Sequence, residues 1–388
     1  MNEKVRLGDV FSFIRNGANI KQGLDDSGYP ITRIETISDR TVNREKMGYA
    51  GITDVSKYDD YVLQDGDILM SHINSEKHLG KTAIYKKQDD EKIIHGMNLL
   101  CLRPEKSVIL PEYAFYFLSS VAFLRQIPNI TKKSVNQASF TVTALKELSF
   151  AKCNINEQRK IIDELDKVTD LINKRKEQLK KLDELVKARF VELFGGLDCR
   201  ISTFGKEFAF VSRGKSPVYV ECSNLAVINQ ACIYWESINY NRVKYNESSY
   251  CGDRVLQHGD VLINSTGTGT LGRANVFTNT DISCRFMADS HVTIMRGSST
   301  CNPMYIKCFL EQTRTQEDIY RLCVSGSTNQ IELSKEKFRQ LKLPVPSMEL
   351  QEEFATFVEQ TDKSKLEVQK SLEKLELLKK ALMQKYFG

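Results

Sequence analysis

The chain has 388 residues, 41% of them hydrophobic and 27% charged, with a formal net charge of +5. That length allows two to four domains with real cores. The longest apolar runs are too short for a membrane span, and the charge is spread along the chain without a basic tail able to hold nucleic acid alone.

In chain order, an apolar-rich stretch at 5–15 leads into the polar loop Arg15–Lys21. Short β-like runs follow at 61–63, 67–70 and 82–85, with Gln64-Asp65-Gly66-Asp67 between the first two reading as a tight turn. Pro111 suits the first turn of a helix. The polar loop Lys132-Lys133-Ser134-Val135-Asn136-Gln137 precedes the next apolar run. Residues 156–194 then contain neither Pro nor Gly. Their apolar positions Ile161, Leu165, Val168, Ile172, Leu179, Leu182, Val186 and Leu193 follow the alternating four-and-three steps of a coiled-coil seam, with Arg175 and Arg189 on the same seam.

The chain then repeats this plan about 193 residues further on. Leu63-Gln64-Asp65-Gly66-Asp67-Ile68-Leu69 returns as Leu256-Gln257-His258-Gly259-Asp260-Val261-Leu262. β-like runs recur at 255–256, 260–263 and 274–277, a helix start at Pro303, and a polar loop at 325–330. Ser134, Asn136 and Gln137 match Ser327, Asn329 and Gln330; Gln158 matches Gln351; Phe194-Gly195 matches Phe387-Gly388. The second long helix carries the same seam through Phe354, Val358, Val368, Leu372, Leu375, Leu382 and Tyr386, interrupted by Thr361, Lys365 and Lys379. Matched heptads predict that the two helices pair, and a two-fold repeat of globule plus helix closes if they run antiparallel. The fold class expected is α+β: two pseudo-two-fold related mixed domains separated by an antiparallel coiled coil. The expected boundaries are 1–152 and 197–346 for the domains, and 153–196 and 347–388 for the helices. The 33 residues from Ile161 to Leu193 make a rod of ~50 Å, about 15 base-pair steps.

Unlike surfaces on one repeated scaffold suit two-part recognition of DNA. Asn and Gln can bond a base edge in two places, while Lys, Arg, Ser and Thr hold phosphate. The candidate DNA-contacting residues are Lys21, His72, Asn74, Lys132, Lys133, Ser134, Asn136, Gln137, Arg213, Lys215, Thr268, Arg273, Ser325, Ser327, Asn329 and Gln330.

Several tempting motifs fail on context. Gly267-Thr268-Gly269-Thr270-Leu271-Gly272 matches a dinucleotide fingerprint, but a β-like run follows it where a helix is needed, and the first half has no such glycines. Asn302-Pro303-Met304-Tyr305 is faintly similar to an adenine-methyltransferase motif, yet its counterpart Leu110-Pro111-Glu112-Tyr113 reads as a helix start. The five histidines show no metal-binding spacing; His72 and His78 fall in a loop that reads as surface. The ten cysteines form no Cys-x-x-Cys pair and read as reduced, mostly buried thiols. The first residues lack the shape of a signal peptide, so a cytoplasmic location is expected.

The duplicated plan, the polar loop ahead of each helix and the lead-in Leu343-Pro344-Val345-Pro346-Ser347-Met348-Glu349-Leu350-Gln351 resemble the specificity subunits of type I restriction-modification systems. The first copy, Phe150 to Gln158, lacks the prolines of that pattern. The resemblance implies two target-recognition domains that each read one part of a split double-stranded DNA sequence. It also implies two methyltransferase subunits docked on the helices, with motor-nuclease subunits completing the complex. Catalysis would then lie in the partners, together with S-adenosylmethionine, ATP and Mg²⁺, and none of these would bind this chain. The rival expectations are a related modification-only or type II-like system, an enzyme with a cryptic nuclease or methyltransferase site, and a coiled-coil scaffold that never touches DNA.

Overall fold

A computed structural model describes residues 3–20, 27–37, 41–135, 137–249, 252–278, 284–326 and 331–388. The chain divides into two compact units, one of residues 1–176 with 370–388, the other of residues 177–369.

In the first unit, a four-stranded antiparallel sheet runs in the order Phe11–Asn16, Leu99–Pro104, Ile68–Ser71, Thr82–Ile84. Strand Ile68–Ser71 is buried throughout, as expected for the middle of a sheet covered on both faces. A second pair joins Glu3–Arg6 to Ser149–Lys152, tying the start of the unit to the residues just before the long helix. The helix Pro111–Leu118 packs into the core with Tyr113 and Phe117, Pro111 occupying its first turn.

The second unit repeats this plan. Its four-stranded sheet runs Phe210–Arg213, Val292–Arg296, Val261–Asn264, Ala274–Val276, and Arg200–Thr203 pairs with Lys342–Val345. Helix Pro303–Glu311 takes the place of Pro111–Leu118, its N-terminus capped by the Asn302 side chain on the Met304 N–H at 2.9 Å. The unit adds a further four-stranded sheet, Tyr219–Val220, Lys244–Asn246, Leu225–Ile228 and Arg285–Ala288, with its own apolar core. The β-like runs expected at 61–63 and 255–256 are not strands. They are held by single bridges, Val62 to Ile94 and Val255 to Met287.

The repetition extends to individual side chains. Asp67 accepts from Arg103 at 2.7 Å and from the Gln64 N–H at 2.8 Å; Asp260 does the same with Arg296 and Gln257. Each carboxylate is only 1% exposed and is paired with that guanidinium. Gln158 and Gln351 are fully buried and fully bonded. Each accepts a backbone N–H, of Leu110 or Asn302, and donates to two carbonyls, Val108 and Cys153 or Thr300 and Pro346.

The long helices are Ile155–Phe194 and Met348–Phe387, of 40 residues each. Every predicted seam position on both is buried or half-buried. Within the first unit, Lys176 meets Glu376 at 3.6 Å and the Tyr386 hydroxyl donates to Glu164, so the two helix segments there run antiparallel. Within the second unit, Asp183 meets Lys365 at 2.7 Å and Arg189 meets Glu353 at 2.6 Å, again antiparallel. The seam cations Arg189 and Lys365 are thus answered by acids on the facing helix, which makes register a matter of charge as well as packing.

Candidate nucleic-acid interface

The central strand of each main sheet ends where it leaves the core, and both ends are built alike. The Ser71 N–H donates to the Lys81 carbonyl and its carbonyl accepts from Gly80, both at 2.9 Å. Asn264 does the same with Arg273 and Gly272, at 2.8 and 2.9 Å. These bonds close a loop, 72–80 in the first unit and 265–272 in the second. Gly80 and Gly272 sit at φ +72° and +86°, and a Cβ at either would press on Ile127 or Gln316.

Against each loop lies a small hairpin. Lys132–Lys133 pairs with Ala138–Ser139, which pairs with Ile73–Asn74. In the second unit Val324–Ser325 pairs with Glu332–Leu333, and Glu332 bridges to Thr266. The anchoring bond is also shared: Phe140 N–H to His72 carbonyl at 3.2 Å, Leu333 N–H to Ser265 carbonyl at 2.7 Å. A two-stranded hairpin is marginal alone, and the third segment fixes its base to the core. Two loops far apart in sequence therefore form one projecting surface in each half.

The predicted residues divide as follows. Lys132, Lys133, Ser134 and Gln137 stand exposed on the first hairpin, Lys133 3.0 Å from Glu76 across it. The Ser134 hydroxyl turns inward to the Gln137 carbonyl at 2.8 Å and shapes the tip. Asn74 is half-buried, and its carbonyl oxygen accepts from the Ser75 N–H at 2.8 Å. Thr268 is exposed at the crest of the second loop, Arg273 donates to the Gly269 carbonyl at 3.0 Å, and Ser325 lies on the second hairpin. Lys215 is exposed just beyond strand Phe210–Arg213. Arg213 is pinned to the hairpin base, reaching Glu332 at 3.1 Å and the Leu333 carbonyl at 2.8 Å. Lys21, Asn136, Ser327, Asn329 and Gln330 lie outside the described residues.

His72 corrects an expectation. Its ring is not on the surface but 5% exposed beneath the hairpin, with Nδ1 lacking a hydrogen-bond partner and Phe140 6.4 Å away. Burial pushes its pKa down to about 4, so the ring is neutral at pH 7 and acts in packing. The glycine-rich 267–272 segment joins strand Val261–Asn264 to strand Ala274–Val276, with no helix to receive a nucleotide phosphate.

Comparison with known proteins decides the family. The model of the type I restriction modification DNA specificity domain matches twice, over residues 2–181 and 210–377. The chain belongs to the type I restriction-modification specificity family. A putative type I restriction enzyme MjaX specificity subunit of Methanocaldococcus jannaschii is 45% identical over 180 residues, which is 45% of this chain and 42% of that protein. The crystal structure of the type I restriction-modification S subunit from M. genitalium matches all of this chain and 96% of its own, with TM-score 0.57 at 15% identity. A chain from a study of complex assembly and conformational transition in the type I system matches with TM-score 0.58 at 17% identity, over all of this chain and 97% of its own. At such identities these structures share the fold.

Several surface residues of this specificity chain escaped the sequence reading. Val135, flanked by Ser134 and Asn136, is fully exposed at the first hairpin tip, an apolar group of the kind that meets a thymine methyl. Lys81 holds the place of Arg273. Desolvation first, and then the nearby Lys81 and Lys77, hold the half-buried His78 below its ordinary pKa. Gln230 and His291 both bond the Thr266 hydroxyl, at 2.7 and 3.1 Å, which places two more base-reading side-chain types beside the second loop. Only the Lys81 position carried a sequence signal, through the repeat.

Proposed function

We propose that this chain reads a split double-stranded DNA target, one half of the chain per part, and carries no catalysis of its own. The carrying observation is the projecting hairpin and loop built at the same place in both halves from different side chains. Lys132-Lys133 in one half stands where Ser325-Gly326 stands in the other, and Ile73 where Thr266 stands. A repeated scaffold with unlike tips is the arrangement expected when two different sequences are read by one chain. Residues 1–152 and 197–346 are the two recognition domains in this reading, and 153–196 and 347–388 the helices that dock two methyltransferase subunits. The partner subunits bind S-adenosylmethionine and modify adenine; where motor-nuclease subunits join, they use ATP and Mg²⁺. The Lys, Ser, Thr and Arg residues of both surfaces hold phosphate, and Asn136, Gln137, Asn329 and Gln330 meet base edges. The complex acts on DNA in the cytoplasm.

The test is binding of methyltransferase subunits to duplex DNA with and without this chain. Sequence-selective binding and methylation that require the chain support the reading. Equal binding without it identifies a scaffold, and methyl transfer by the chain alone identifies an enzyme.

A further inference from the structure

The second half holds a cationic group that the repeat does not foreshadow. The segment 229–242 runs beside the hairpin formed by strands Val261–Asn264 and Ala274–Val276. The Asn264 amide donates to the Gln230 carbonyl at 3.1 Å, and the Asn275 amide to the carbonyls of Tyr234 and Trp235 at 2.8 and 3.1 Å. These bonds set the Tyr234 ring beside the 265–272 loop. Two guanidinium groups then share that ring, with the central carbons of Arg242 and Arg273 each 5.8 Å from its centroid. Arg273 is aimed by its bond to the Gly269 carbonyl. Arg242 is exposed. Among the described residues neither arginine forms an ion pair, whereas Arg213, Arg254, Arg296 and Arg321 of the same half do.

Each cation is attracted to the face of the ring, but two cations on one ring repel each other. A carboxylate would relieve that repulsion, and none pairs with either arginine among the described residues. The phosphates of a DNA backbone laid against both guanidinium groups would relieve it and use their fork-shaped donors in bidentate contacts. The ring meanwhile holds both side chains in place before binding, which reduces the ordering cost.

We infer that Arg242, Tyr234 and Arg273 form a clamp for the DNA backbone beside the second reading loop. The inference rests on the DNA-reading function and adds two residues, Tyr234 and Arg242, and a division of labour. The clamp positions the duplex and contributes nothing to sequence choice, because a phosphate carries no base information.

The experiment uses the full chain in complex with its methyltransferase subunits. Two labelled duplexes of equal length are compared, one carrying the motif that the complex methylates and one lacking it, at salt between about 50 and 200 mM. Arg242→Gln is expected to weaken binding to both duplexes by the same factor and to lower the steepness of the log–log salt dependence by about 0.9. The methylated motif stays unchanged. Tyr234→Phe, which keeps the ring, is expected to bind as wild type, while Tyr234→Leu weakens both duplexes in the same way with thermal unfolding unchanged. Unchanged affinity and salt slope in Arg242→Gln would overturn the clamp, as would a loss confined to the motif duplex. Should wild-type complex bind DNA no better than the methyltransferase subunits alone, the DNA-reading function fails and takes the clamp with it.

Discussion

At the residue scale, the buried polar groups among the described residues include satisfied ones that build the repeat and three side-chain atoms without a partner, Arg15 Nε, His72 Nδ1 and Asn264 Oδ1. Gln158 and Gln351 belong to the first group, and replacing either strands three backbone groups. His72 and His95 belong to a different class. Both are buried in the first unit, at 5% and 1% exposure, and burial pushes both pKa values down to about 4 from 6.5. The unfolded chain therefore binds more protons than the folded one between about pH 6.5 and 4, so stability is fully present above 6.5 and falls as pH drops through that window. Each ring can account for up to about 3 kcal/mol. Glu91 and Glu207, held at about 2 by Arg44 and Arg200, lose their contribution only below their ordinary value of 4.5. The second unit carries its two histidines, His258 and His291, on the surface. Hydrogen exchange followed from pH 7 to 4.5 should show protection falling in 68–104 well before it falls in 261–296. Parallel loss in both units would contradict this. The burial of His72 was not legible in the sequence, because it sits between Ser71 and Ile73 at a strand end, and the hairpin at 132–139 that lies against it comes some 60 residues on.

At the element scale, the long helices were the most legible part. A seven-residue pattern needs no tertiary information, and every seam residue it named is buried or half-buried. The helix starts at Pro111 and Pro303 were equally plain, since proline fits a first turn and resists other helical positions. The small hairpins were read only as polar loops, because strands of two residues carry no periodicity. The end of each helix matters more than its pattern suggests. Phe387 is buried in the first unit, its ring 5.3 Å from Tyr113 and 5.8 Å from Phe117. Phe194 packs in the second unit 4.8 Å from Tyr305 and 5.5 Å from Phe354. Phe387→Ala should cost about 3–5 kcal/mol of local stability, read as lost exchange protection and faster proteolysis across 377–388. Protection unchanged there would mean that the aromatic contact does not hold the helix end.

At the scale of the whole molecule, the repeat is the organising fact. It was visible as scattered matches at one offset, and the structure shows what those matches are for. Asp67 and Asp260 each fix a strand through an arginine, Gln158 and Gln351 each fix a helix start, and Phe387 and Phe194 each end a helix in a core. Arg103 and Arg296 were overlooked because the residues around them differ. The residues between the landmarks diverge, and in the proposed function they include the surfaces that read DNA, which carry no period to detect. The second unit's extra sheet, with Tyr234 and Arg242 nearby, is one such divergence. If the two halves read separately, damage to one must be confined to one part of the target. The direct measurement is the methylated motif, determined by sequencing DNA from cells that carry the partner subunits and one of two variants. The first replaces Lys132, Lys133 and Gln137 with Ala; the second replaces Asn329 and Gln330 with Ala. The account predicts a two-part motif in which each variant relaxes a different part and leaves the other part and the spacing intact. Relaxation of the same bases by both variants, or an unbroken motif unaffected by either, would contradict it.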